Sequence, residues 1–239
     1  MRRKVYGIVV LVTLAVVMVA CQKGKNPEST QKSKKIEEKT EMPAVCIWDK
    51  GSVRQEASKN GKWISSMALG EKVVWTGEVF TDSTDDNRSY YHVRLSDGTE
   101  GWVSEYVVAI HAVPGILIKK AQIFRRPDLI TVTEKVFEKM SFVAILEEKD
   151  DWIQVTGEEN KKKGWIRTAA ISTKDEDITV GLLVAKAKED KDPVKYQEKL
   201  NEIMNNPLFA NSVFVEQLKN ADSENAQDES DFVETDSSE

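Results

Sequence analysis

The side chains best suited to covalent or metal chemistry in this 239-residue chain are two cysteines, Cys21 and Cys46, and two histidines, His92 and His111. A thiolate nucleophile needs a base beside it, and a soft metal site needs several Cys or His ligands at close spacing. Neither pattern is present in the sequence. Cys46 lies between Val45 and Ile47 in an apolar stretch, the setting of a buried structural thiol. The carboxylate pairs Glu147-Glu148 and Asp150-Asp151 fall in a charged turn, where solvation accounts for them. There is no Gly-x-Ser-x-Gly and no phosphate-binding loop. These residues therefore predict no enzyme, no catalytic residue, no metal and no cofactor.

Aromatic chemistry is better represented, with six tryptophans. Alternation from Ser89 to Leu95 puts Tyr91, Val93 and Leu95 on one face and Tyr90, His92 and Arg94 on the other. In the same way Trp152 shares a face with Gln154 and Thr156, opposite Val155. A ring on a polar face is a platform for a ligand, which makes Tyr90, His92 and Trp152 the candidate binding residues. For His92 alone, a satisfied or solvent-facing imidazole is the simpler reading. Trp75, Trp102 and Trp165 lie among apolar residues and read as core, while Trp48 and Trp63 flank a loop-like stretch.

The elements that must position these rings are duplicated. Gly101-Trp102-Val103 recurs as Gly164-Trp165-Ile166, each preceded by a strand-like run and a polar turn. Tyr90 then pairs with Trp152, Val93 with Val155, and the turn is one residue longer in the second copy. Upstream, Glu71-Lys72-Val73-Val74-Trp75 matches Met140-Ser141-Phe142-Val143-Ala144-Ile145. The β-branched and aromatic residues of these runs suit short antiparallel strands. Asp97-Gly98 predicts a tight hairpin with positive φ at both residues, and the glycine before each Trp lets the backbone bend or approach closely. The expected core residues are Trp75, Val93, Gly101, Trp102, Val155, Gly164 and Trp165.

An apolar strand, an aromatic-x-x-Val run, a hairpin turn, Gly-Trp-Val/Ile and a closing apolar strand (Tyr106 to Ala109, or Ala169 to Ile171) together resemble the bacterial SH3-like (SH3b) domain. The resemblance implies two tandem small β-barrels, residues 44–110 and 114–173, in a mainly β chain. The start of each module departs from the family's Asn-x-Arg run: Ser52-Val53-Arg54 and Ile123-Phe124-Arg125 keep the arginine without the asparagine. A barrel of this size is marginal alone, and the connection Ile110 to Gly115 has room for one turn around Pro114, so the two are expected to be packed or coaxial, with little independent motion.

A short α-helical region is expected over 178–220. Thr179 to Ala187 reads as a helix start, and Asp192-Pro193 as a cap followed by proline at the first helical position. Tyr196, Leu200, Ile203 and Met204 then form one apolar stripe, and Asn206-Pro207 ends that helix and opens another carrying Phe209, Val213 and Phe214. These stripes must be covered by each other, by the second barrel or by a partner.

The chain ends complete the expectation. Arg2, Arg3 and Lys4 precede an uncharged run, Val5 to Ala20, that stops at Cys21, which has the parts of a secretory signal. With cysteine at the cut, residues 1–20 resemble a bacterial lipoprotein signal peptide, although Met18 stands where Leu is usual. That resemblance implies lipidation of Cys21, a membrane partner through the N-terminal lipid, and a place in the cell envelope facing the periplasm or the exterior. Residues 21–43, rich in Lys, Glu, Ser and Thr, read as a disordered linker, and 221–239 as a disordered acidic tail. Of the formal net charge of −6, removing the three signal bases gives −9, and the tail alone contributes −8. The folded part is thus close to neutral, which argues against nucleic acid as a partner. The function expected from these readings is a non-enzymatic lipoprotein whose modules bind peptidoglycan peptides or an envelope protein. The alternative is a surface-exposed lipoprotein that binds host or matrix macromolecules.

Overall fold

The computed structural model describes residues 41–84 and 86–220. The signal segment 1–20, the lipidation candidate Cys21, nearly all of the linker and the acidic tail lie outside the described residues. The described part is mainly β. A first sheet is built from β1 (Met42–Cys46), β2 (Gly51–Arg54), β3 (Trp63–Met67), β4 (Lys72–Asp82), β5 (Arg88–Arg94), β6 (Glu100–Ser104) and β7 (Val108–Ile110). A second follows with β8 (Val113–Leu117), β9 (Ala121–Phe124), β10 (Val132–Phe137), β11 (Phe142–Lys149), β12 (Trp152–Gly157), β13 (Lys163–Arg167) and β14 (Ile171–Ser172).

The hydrogen-bonded orders are β3-β2-β6-β5-β4-β1-β7 and β10-β9-β13-β12-β11-β8-β14. Shifting the first by seven strands gives the second, so the sequence repeat is also a repeat of topology. Even the ladder irregularities correspond: the register shifts between Trp75 and Val79 in the first sheet and between Ile145 and Glu147 in the second. Such bulges bend a strand and strengthen its twist. The expectation of barrels needs correction, because the outer strands of each sheet share no ladder. Closing a barrel requires the terminal strands to pair at a fixed stagger. Here the last strands, β7 and β14, are short and hydrogen-bond to β1 and β8.

The Gly-Trp motif has a steric cause. Gly101 lies directly opposite Val93, and Gly164 opposite Val155. A Cβ on Gly101 would sit 2.7 Å from both Arg54 O and Val53 Cγ1, and one on Gly164 would sit 2.5 Å from Ile123 Cγ2 and 2.8 Å from Phe124 O. The neighbouring strand comes too close for any other residue. In the Asp97-Gly98 turn only Gly98 has positive φ, which corrects the expected tight form. Asp97 instead accepts the Thr99 N–H at 2.8 Å, a bond that holds its carboxyl below the usual range.

Each sheet has its own core. Val53, Met67, Val93 and Val103 fill the first, with Trp75 half-buried at its edge, and Ile123, Ile153, Val155 and Ile166 fill the second. Trp102 is a correction: Val103 points inward, so alternation turns Trp102 to the opposite face, where it is half-buried. Trp165 is buried, but on the face away from Ile166 and the core.

A third core joins everything. Val45, Ile47 and Ala112 meet Ile116, Phe142 and Ala144, and three C-terminal helices cover them with Ile178, Val180, Val184, Ile203 and Phe214. The helices therefore pack across the junction and not on the second sheet alone. They are α1 (Asp175–Ala187), α2 (Pro193–Asn205) and α3, residues 213–220. Helix α1 starts before the expected Thr179 because Asp175, Glu176 and Asp177 favour the positive end of a helix. Gly181 within it is tight against Ile116, 2.7 Å from where a Cβ would lie. Asp192 caps α2 as predicted, its carboxylate accepting Val194 N–H at 3.0 Å. The buried Asp177 carboxylate accepts bonds from Ser172 Oγ, Ser212 Oγ and Val213 N. It ties β14, α1 and the start of α3 with charge-assisted bonds. The longer turn of the second copy also reaches the first sheet, with Glu159 N donating to Ile47 O at 2.7 Å. Among the described residues no helix is long and apolar enough to cross a membrane.

Candidate functional site

The face of the first sheet that points away from its core carries a row of rings. Cross-strand register puts His92 opposite Trp102, Trp102 opposite Arg54, and Arg54 opposite Trp63. Phe80 lies on the same face, opposite Tyr90. Directly opposed residues share a face, so the register alone gathers these side chains. Trp102 meets His92 at 5.1 Å and Phe80 at 6.4 Å between ring centres, both edge to face. Trp63 and Phe80 are about half exposed, at 58% and 50%. His92 is fixed from below, where Thr76 Oγ1 lies 3.1 Å from Nδ1. Trp63 Nε1 donates to Ser66 Oγ at 3.2 Å, which holds that ring against its own strand. The result is a held, partly open aromatic surface of the kind that stacks on planar or apolar ligand groups.

Two of the three candidate binding residues are displaced from the expected role. Tyr90 is 2% exposed and Trp152 is 7% exposed, so neither is an open platform. Alternation assigned both to the correct face, but neighbours on that face cover them. In the second sheet Phe124 meets Trp152 edge to face at 4.9 Å, Trp165 joins them, and the Arg167 guanidinium lies 4.2 Å from the Trp152 ring centre. His92 remains at the site, half-buried. Trp63 and Phe80 are the residues the sequence reading missed. Alternation from Trp75 through Val79 already places Phe80 on the face opposite the core, whereas Trp63 has no signal beyond its neighbours.

Cys46 is buried, and its Sγ donates to Trp48 O at 3.0 Å. Burial pushes its thiol up to about 11, so it is a structural thiol and no nucleophile at neutral pH. Among the described residues no three His, Cys, Asp or Glu side chains gather where a metal could be held.

No family model matches the chain, and no curated protein matches it. Several solved structures are similar to it, among them the following three. NlpC2 and NlpC1 from Trichomonas vaginalis are each 16% identical with a TM-score of 0.25, over 62% of this chain and 57% and 54% of theirs. An NlpC/P60 family protein from Bacillus cereus is 14% identical with a TM-score of 0.26, over 61% of this chain and 62% of its own. The chain spans little more than half the length of these structures. The expectation that it is no enzyme does not stand beside them: one of these structures carries the NlpC/P60 family name and the other two the NlpC name. At these scores the likeness assigns no activity and no site residue to this chain.

Proposed function

We propose that the chain is a lipid-anchored envelope protein that holds peptidoglycan peptides or an envelope protein on the ring row of its first sheet. In this reading each sheet is an SH3-like module, which the repeated strand order and the repeated Gly-Trp step support. Cys21 is the lipidated residue, and the fold faces the periplasm or the cell exterior. The single observation that carries the binding reading is the partly exposed row Trp63, Phe80, Trp102 and His92, held in place from below by Thr76.

The full chain should be retained on purified sacculi, and Trp63→Ala and Phe80→Ala should lose that retention while keeping the unfolding midpoint of the parent. Loss of binding with the fold intact assigns the row. Full retention by both variants removes it. Replacing Cys21 with Ala should abolish fatty-acid labelling, and persistent labelling would sink the lipid anchor.

A further inference from the structure

The turn that joins β9 to β10 carries the most exposed apolar side chains of the second sheet. Leu129 and Ile130 lie in a single 3-10 turn (Leu129–Thr131) and are 61% and 83% exposed, and Val132 just after it is 55% exposed. Isolated exposed apolar residues are ordinary, but three within four positions at one apex form a patch. The connection at the same place in the first sheet, residues 55–62, reads Gln-Glu-Ala-Ser-Lys-Asn-Gly-Lys and has no large apolar side chain. The patch therefore belongs to one copy and not to the repeat.

The apex is held in shape by its own backbone. Thr131 O accepts the Arg125 N–H at 3.0 Å, and Thr131 Oγ1 accepts the Arg126 N–H at 3.2 Å. Asp128 Oδ1 accepts the Ile130 N–H at 3.1 Å, and the pairing of Val132 with Phe124 closes the base. Apolar side chains presented on a turn already ordered lose little conformational freedom on contact. Arg125 and Arg126 stand beside them, both exposed, and neither side chain has a hydrogen-bond or ion-pair partner among the described residues. Asp128 is the one acid of the turn, and its carboxylate is engaged as the cap.

The size and charge of the patch select the partner. Three side chains fall short of the roughly 800 Å² that each side gives to a standard protein interface. A bilayer sets no such requirement, since apolar tips enter the acyl boundary while neighbouring arginines remain among anionic headgroups. We propose that residues 125–132 form a membrane-contact site, which seats Leu129 and Ile130 at the acyl boundary of an anionic bilayer and sets Arg125 and Arg126 on headgroup phosphates. The inference goes beyond the ring row, and it requires neither that row nor the lipid anchor.

The test is to mix the full chain, at limiting lipid, with phosphatidylglycerol vesicles whose acyl chains carry a photoreactive diazirine, and to map the adducts by mass spectrometry. Adducts should fall on residues 129–132 and spare residues 55–62, the matching turn of the first sheet. Arg125→Gln and Arg126→Gln should each lower the yield at 129–132 about fivefold, and phosphatidylcholine vesicles should lower it about thirtyfold. Leu129→Ser and Ile130→Ser should remove it while leaving the unfolding midpoint unchanged, because both positions are exposed.

Equal yields on the two lipids, or yields that the arginine variants leave unchanged, overturn the site. Adducts confined to the rest of the chain also overturn it, and fatty-acid labelling of Cys21 then decides the anchor separately. If the turn takes no lipid but its serine variants lose retention on sacculi, the patch serves a wall or protein partner and the membrane reading falls.

Discussion

The two sheets share a strand order but use the face away from the core in opposite ways. In the second, Phe124, Trp152 and Trp165 pack on one another and Arg167 covers Trp152, so the rings serve stability. In the first, Arg54 stands where Phe124 would, Ser104 where Arg167 would, and the rings that remain are partly open. A duplicated module can therefore keep the outer-face rings of one copy packed together while those of the other stay partly open. The difference lies in a few outer-face residues and leaves the core pattern unchanged.

The largest expected effect tests that contrast directly. Trp165→Ala should cost about 3–5 kcal/mol in denaturant unfolding, because its ring is buried against two others. Trp102→Ala should cost about 1 kcal/mol, since its ring is half-buried and what it loses is exposed contact. Equal losses would end the comparison.

The motif glycines should show the opposite, namely agreement between the sheets. Gly101→Ala and Gly164→Ala each force a Cβ into the adjacent strand and should each cost about 1–3 kcal/mol. A thermal melt that leaves either variant unchanged would show that the strands can part at no cost, against the close approach seen here.

The smallest effect concerns the position where Cys46 stands in the first sheet and Leu117 in the second, each paired with its short last strand. If Cys46 acts as a small hydrophobe, a thiol reagent at pH 8 should leave it unmodified in the folded chain and label it in denaturant. Its raised folded pKa contributes stability that is complete below the ordinary value of 9.0 and is lost as pH rises through about 11. Between pH 6 and 8 this group should therefore leave the unfolding midpoint flat. Rapid labelling of the native protein would break the equivalence with Leu117.

Much of the architecture was legible in the sequence because it rests on period and steric need. Val93, Val155 and the two motif glycines could be assigned from alternation and repetition, and Asp192-Pro193 from capping chemistry. The junction core was not legible. Val45, Ile47 and Phe142 look like ordinary strand residues until the connection brings the sheets together, and Gly181 looks like a weak point in a helix until Ile116 is seen against it. The site was half legible for a related reason. Alternation states which side a ring takes, but not whether a neighbouring strand brings Phe124 to cover it or Arg54 to leave it open.

The junction core also sets an order of events for the growing chain. Val45 and Ile47 lie near the start of the described residues, while Phe214 and Val215, which complete the same core, lie near their end. Contacts so distant in sequence form late, because the intervening loop must close first. A chain emerging from its N-terminus would thus keep its central core open until α3 appears. During that interval it would remain an incompletely packed polypeptide, and it would lock only once the last helix could close the core.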